Sequence, residues 1–276
     1  MNKTPNGFYL TEITDIYDAR IAPYRVMTLR NADSHNSDAT FIADGKRVVE
    51  TLLRSTAGIR SIFALPEFYE LYGEQIAARN LPEGTLLAAS AEVMENITGF
   101  RHHSGVMAVG VRPAFVPFDK IEFPAIGLCG VINPENVGII ARNCAGLGFR
   151  SLIIDEATCS PYLRRAMRVS MGATLLLHIC RVESFPDALT KISTERVPQI
   201  IAAETLENAV PPDAIAWKER TLILFGSEDK GISAETLAIC NAVTAIPVTP
   251  SVHSLNVAAA SSIILYAATA KLAILN

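Results

Sequence analysis

The sequence predicts an α/β protein of two domains, and three observations predict it. Apolar runs of strand length alternate with stretches of helix length, the signature of strands feeding helices. A proline-rich stretch without a period, PAFVPFDKIEFP at 113–124, separates two such series. The runs at 222–225 and 242–248 are continuous rather than alternating, as in strands buried on both faces of a parallel sheet.

Taken in order, residues 11–30 are mixed in character and are expected to begin with a helix. ATFIA, 39–43, reads as a short strand. GKRVVETLLRS, 45–55, is an amphipathic helix with Val48, Val49, Leu52 and Leu53 on its apolar side. IRSIFAL, 59–65, is a strand. Pro66 opens a helix running to Arg79, since proline fits the first helical turn. GTLLAAS is a strand, AEVMENITGF a helix and GVMAVGVRP a closing strand. Beyond the prolines the expected order is strand 125–132, helix 137–147, strand 151–155, helix 162–169, strand 174–179, helix 186–193 and strand 199–203. The two continuous runs follow. The division is a domain over 1–112, a linker over 113–121 and a second domain over 122–276.

Length and composition fit a globular chain. The 276 residues suffice for two cores, and 50% are hydrophobic while 19% are charged. Apolar stretches stop short of membrane length and contain Ser, Thr or Lys. The start, MNKTPNGFYLTEITD, lacks an apolar signal core, so a cytoplasmic protein is expected. Cys129, Cys144, Cys159, Cys180 and Cys240 form no CxxC pair and no zinc spacing with histidine; buried thiols and no metal are expected.

The last quarter of the chain carries the clearest site signal. Each continuous run ends in a polar, turn-rich loop, 226–231 and 249–254, and a helix follows each. Ligands of open α/β sheets bind beyond the carboxyl ends of the strands, so these loops are expected to form a pocket. Residues 256–274 are almost all small or apolar. A helix without a polar face is buried in a core or against another subunit.

FGSEDKGIS and IPVTPSVHSLNVAAASSIILY resemble motifs 2 and 3 of the SpoU family of RNA ribose methyltransferases, part of the knotted SPOUT superfamily. NPENVGIIARNCAGLGF supplies motif 1, with Asn136 six residues before Arg142. ITDIYDARIAPYRV, FIADGKRVVETLL and ITGFRHHSGVMAVG are similar to the substrate-binding domain of one branch of that family, which includes the thiostrepton-resistance ribosomal RNA methyltransferases. That domain is similar to a small α/β RNA-binding fold of certain ribosomal proteins. The resemblance implies a trefoil-knotted, parallel-sheet methyltransferase domain and a homodimer packed through the knot. It also implies S-adenosyl-L-methionine as cofactor and RNA as substrate, with ribosomal RNA ahead of transfer RNA as the alternative. The chain departs from relatives at Asp44, where they carry a longer acid, and at Asp229 and Pro250, where they carry glycine.

By this resemblance Asn136, Arg142, Glu228, Ser254 and Asn256 form the catalytic site. Phe225, Gly226, Glu228, Gly231, Ile246, Val248, Ser254, Leu255 and Asn256 surround the cofactor. As residues alone, Asn136 and Ser254 also suit helix N-caps, Glu228 a solvated turn and Arg142 a surface ion pair. Arg142 is nonetheless a charge on a helix of small and apolar residues, which calls for a carboxylate, a phosphate or a subunit as partner. The resemblance turns it toward the ribose 2′-hydroxyl. It then acts either as the base, against arginine's ordinary pKa above ~12, or as a donor that positions a phosphate and stabilises the alkoxide.

Arg164, Arg165 and Arg168 crowd one helical stretch, with Arg164 and Arg168 on one face. They read as a solvated basic face or, with the family's phrase, as phosphate contacts. Arg101 beside His102 and His103 is a second basic spot. Net charge is −4, with 12 basic and 14 acidic residues on either side of the division after Lys120. Neither domain is basic, so RNA affinity has to come from such patches, or from patches joined across a dimer.

Two competing readings are an RNA-binding or assembly protein that keeps the fold without catalysis, and a nicotinamide oxidoreductase. AGLGF, 145–149, ends a helix and lacks the third glycine of a dinucleotide fingerprint. His253 reads as a loop histidine.

Overall fold

A computed structural model describes residues 2–25, 40–98, 105–191 and 198–272. The chain forms two compact units, Met1–Ala114 with Tyr162–Leu175, and Phe115–Pro161 with Leu176–Asn276.

The first unit contains β1 (Asn2–Lys3), β2 (Tyr9–Glu12), α1 (Ala22–Arg25), β3 (Thr40–Asp44), α2 (Lys46–Arg54), β4 (Ile59–Ala64), α3 (Pro66–Leu71), α4 (Gly73–Ala77), β5 (Leu86–Ala88), α5 (Ala91–Thr98) and β6 (Val106–Val111). Its sheet runs β1-β2-β5-β4-β6-β3. Ile42, Phe63, Leu87 and Met107 pack beneath Tyr24, Met94 and Ile97. Two expectations change. Residues 11–30 begin in a strand, because Thr11 and Glu12 pair in parallel with Leu87 and Ala88. The helix over 66–79 is broken at Tyr72, and the place of a side chain on Gly73 is taken by the Asn6 amide.

The second unit contains β7 (Ala125–Cys129), α6 (Pro134–Gly146) and β8 (Ser151–Ile154); α7 (Arg164–Val169) then belongs to the first unit. β9 (His178–Arg181), α8 (Phe185–Thr190), β10 (Gln199–Ala203), β11 (Thr221–Gly226), α9 (Ala234–Leu237), β12 (Ala242–Thr244) and α10 (Val257–Leu272) follow. The six-stranded sheet runs β12-β10-β11-β7-β8-β9, and every pairing is parallel. All of β11 is buried, as its continuous apolar run requires. The run at 242–248 pairs only as far as Thr244: Ala245 turns its N–H to the Val210 carbonyl, and Pro247 has none to give. Residues 173–176 form a 3₁₀ turn, so β9 starts only at His178.

The apolar helix α10 packs on α6. Asn143 Nδ2 donates to Ser261 Oγ at 2.9 Å, Ser262 Oγ at 2.8 Å and the Ala258 carbonyl at 3.2 Å. One face buries Ile264, Leu265 and Ala268, while Ile263 and Tyr266 on the other are 45% and 67% exposed. Among the described residues no helix is long and apolar enough to cross a membrane. The five cysteines are free. Burial pushes the Cys144 thiol well above its ordinary value, Cys180 up to about 12 and Cys240 up to about 11. Thiols held protonated are poor nucleophiles.

The division into units differs from the sequence-based one at 162–175. β3 lies at a sheet edge yet is buried along most of its length, because α2 and α7 both pack on it. Phe41 meets the Tyr162 ring at a centroid distance of 5.8 Å. Asp44 at the end of β3 is only 3% exposed, and a buried carboxylate demands cations. Arg164 supplies Nη2 at 2.9 Å and Nε at 3.2 Å, and Arg168 Nη1 stands at 3.6 Å. Removing one partner of a buried pair costs about 3 kcal/mol, whereas surface changes stay within about 0.5 kcal/mol. Urea unfolding should therefore show Arg164→Ala strongly destabilised and the exposed Arg165→Ala near wild type.

Candidate active site

The site begins at the N-terminus of α6. Asn133, not Asn136, caps this helix, accepting from the Glu135 N–H at 2.8 Å, and Pro134 takes the first helical position. Asn136 sits in the first turn, 5% exposed. A buried amide must find partners for both ends. Its Nδ2 donates to Glu228 Oε1, and its Oδ1 accepts from Asn256 Nδ2 at 3.2 Å. Asn256 Oδ1 in turn accepts from the N–H groups of Ala258 at 3.0 Å and Ala259 at 3.3 Å. Asn256, rather than Ser254, thus caps α10. One hydrogen-bonded chain joins the start of α6, the loop after β11 and the start of α10.

The topology explains why these three meet. β7 has β8 on one side and β11 on the other, so the connections leaving β7 and β11 diverge at a switch point of the sheet. The Asn136–Glu228 bond spans that point. The loop leading into α6 is fixed by residues that sequence reading missed. Asp155 Oδ1 accepts from the Gly130 N–H at 3.1 Å, the Thr158 N–H at 2.8 Å and Thr158 Oγ1 at 2.7 Å. The Val131 N–H donates to Thr158 Oγ1 at 3.2 Å. No local motif announces Asp155; its role arises from loops meeting at adjacent strand ends.

Beside the hydrogen-bonded chain lies a cavity of about 510 Å³ at the carboxyl ends of β10, β11 and β12. Its walls include Phe225, Ile246, Leu255 and Ile264, with Glu204, Glu228 and Asn256 as polar groups. Gly226, Gly231 and Ser254 also line it; Val248 does not. Both glycines are dictated by close approach. A Cβ on Gly226 would stand 2.7 Å from the Gly231 carbonyl oxygen and the Ile232 nitrogen. Gly231 has φ +63° and backs onto the Glu204 carboxylate. Volume and lining suit a small molecule with an apolar ring system and several hydroxyl and amino donors. A nucleoside-based methyl donor is of that kind. A second cavity of about 520 Å³, between Phe118, Ile121 and Val182, contains none of the motif residues.

Arg142 is placed differently from the other motif residues. It is exposed on α6 and does not line the cavity. Pro250 occupies the second position of the turn Thr249–Val252, closed by the Val252 N–H on the Thr249 carbonyl at 3.0 Å. Proline favours that position, and Pro250 lies outside the cavity wall. His253 is exposed, and Arg101 falls outside the described residues. Of the arginine cluster, Arg164 is committed to Asp44 inside the first unit, while Arg165 is exposed and Arg168 is 57% exposed.

This α/β fold with its all-parallel second sheet is that of the SPOUT methyltransferases. The AdoMet-bound rRNA methyltransferase from Sinorhizobium meliloti superposes with TM-score 0.79 over 95% of this chain and 98% of its own, at 23% identity. Residues 124–266 match the SpoU rRNA Methylase family, and the chain belongs to that family. It is an RNA methyltransferase. An uncharacterized tRNA/rRNA methyltransferase of Mycobacterium tuberculosis is 31% identical over 276 residues, covering 96% of this chain and 93% of its own. The 23S rRNA (guanosine-2'-O-)-methyltransferase RlmB of Acinetobacter baylyi is 25% identical over 189 residues, 65% of this chain and 76% of its own.

Proposed function

We propose that the protein methylates a ribose 2′-hydroxyl of structured RNA, ribosomal RNA before transfer RNA. The chain of bonds from Glu228 through Asn136 to Asn256, set against the 510 Å³ cavity, carries this reading. When bound, S-adenosyl-L-methionine supplies a methyl group made electrophilic by its sulfonium. Phe225, Ile246 and Leu255 would hold its apolar part, and the loop 226–231 would offer it backbone groups. Glu228, held by Asn136, fixes that loop against α6. The bound cofactor would supply this methyl to the 2′-oxygen with its sulfur as the leaving group, and Arg142 would either take the hydroxyl proton as base or stabilise the alkoxide as a donor while solvent takes the proton. Alignment and preorganised charge supply the catalysis. A methylated 2′-hydroxyl identifies the substrate as RNA. The RlmB relative, a 23S rRNA (guanosine-2'-O-)-methyltransferase, supports the choice of atom.

Arg165 and the partly exposed Arg168 are the arginines of the cluster that reach the surface, where phosphate could meet them, and Arg164 serves Asp44. The trefoil knot and the RNA-binding role of residues 1–112 belong to the same reading and rest on the resemblance. So does a homodimer, for which the exposed Ile263 and Tyr266 of α10 supply an apolar face. Light scattering should give twice the chain mass of 29.8 kDa, and Tyr266→Glu should shift the population to monomer. A wild-type monomer that retains activity refutes the dimer.

The test of the function is mass-spectrometric mapping of ribose methylation in cellular RNA with and without this gene. Loss of one 2′-O-methyl mark on deletion, restored by the wild-type gene, is the expected outcome. An unchanged map contradicts it.

A further inference from the structure

Glu204 belongs to none of the family motifs, yet it lines the cavity immediately beyond β10. Its Oε2 accepts from the Ile232 N–H at 2.9 Å, and Oε1 accepts from the Thr205 N–H at 3.1 Å. The loop it touches is a closed turn. The Gly231 N–H donates to the Ser227 carbonyl at 2.9 Å, and the Lys230 N–H to Ser227 Oγ at 3.2 Å. Ile232 is where this turn leaves toward α9, and the Glu204 carboxylate receives its N–H. The same carboxylate occupies the space a side chain at Gly231 would need, with Glu204 Cδ 3.0 Å from that Cβ position. The left-handed Gly231, at φ +63°, thus lies against Glu204, while Gly226 closes on it from the strand side.

We propose that Glu204 is a positioning residue of the cofactor site: its carboxylate clamps the Gly231–Ile232 end of the loop after β11 and holds that loop in its binding shape. The inference rests on the cofactor reading of the cavity. Its content is an acceptor at a fixed place, not a charge. Glutamine at 204 keeps one acceptor oxygen for the Ile232 N–H and gives up the exposed Thr205 bond, and alanine removes both. A buried N–H left without an acceptor loosens the turn, so alanine should weaken cofactor affinity about tenfold or more.

Calorimetric titration with S-adenosylmethionine, run beside hydrogen exchange of the Ile232 amide in cofactor-free protein, tests this. Glu204→Gln should bind within about threefold of wild type and keep Ile232 protected. Glu204→Ala should lose affinity about tenfold or more and exchange Ile232 faster. Glu204→Met, which fills the space without an acceptor, should behave like alanine and serves if alanine does not fold. The proposal is overturned if alanine and methionine bind like wild type, if glutamine is as weak as alanine, or if Ile232 exchange is indifferent to all three. A wild-type protein that takes up no cofactor overturns the reading of the cavity itself, and this inference with it.

Discussion

Arg142→Ala is expected to slow methyl transfer to RNA about a hundredfold or more, while the protein stays folded and binds its cofactor. The side chain is exposed on α6, so its removal leaves the core intact and should change stability by no more than about 0.5 kcal/mol. It does not line the cavity, so cofactor affinity should hold. On the proposed reading, what is lost is a cation where negative charge develops on the 2′-oxygen. Such a contact is typically worth about 3 kcal/mol in the transition state. Arg142→Lys separates the two roles that the resemblance allows. Lysine keeps the charge but loses the planar fork, and it gives up its proton more readily than arginine. A base at this position predicts activity restored with an altered pH profile. A bidentate clamp predicts lysine nearly as poor as alanine at every pH. Normal turnover in Arg142→Ala removes the residue from the mechanism.

Gly226→Ala should abolish measurable cofactor binding. The added methyl meets backbone, 2.7 Å from the Gly231 carbonyl oxygen and the Ile232 nitrogen, so no side chain can swing aside. Relief requires the loop after β11 to move outward. That motion pulls Glu228 from Asn136 and breaks the bridge between Ser227 and Gly231. Gly146 is the contrast: a Cβ there meets nothing within 4 Å, so Gly146→Ala at the end of α6 should bind cofactor normally. Isothermal calorimetry on both variants checks the difference. Wild-type affinity in Gly226→Ala would mean that this loop does not shape the site.

The second unit was legible because its strands are buried on both faces and therefore continuous in sequence. β10 and β11 emerged close to their expected bounds for that reason. Errors arose where a distant partner overrides local character. Thr11 and Glu12 look uncommitted until β5 pairs with them, and the 66–79 helix looks unbroken until Asn6 fills the place beside Gly73. The segment 162–175 reads as part of the second domain; Asp44 and Phe41, far upstream, bind it to the first unit. Within the site, the resemblance pointed to Asn136, Glu228 and Asn256, and the structure places these three in one network. Spacing alone does not show that Asn133 and Asn256 are the true caps. Glu204, Asp155 and Thr158 left no local signal, since each acts on a loop from another strand.

The loops after β10, β11 and β12 are proposed to form the S-adenosylmethionine site. Titrating the purified wild-type protein with that compound, followed by calorimetry and by thermal unfolding, tests it most directly. Saturable binding of one molecule per chain, with a melting temperature that rises as the cofactor concentration rises, is the predicted result. No heat of binding and no shift in melting temperature at millimolar cofactor would contradict it.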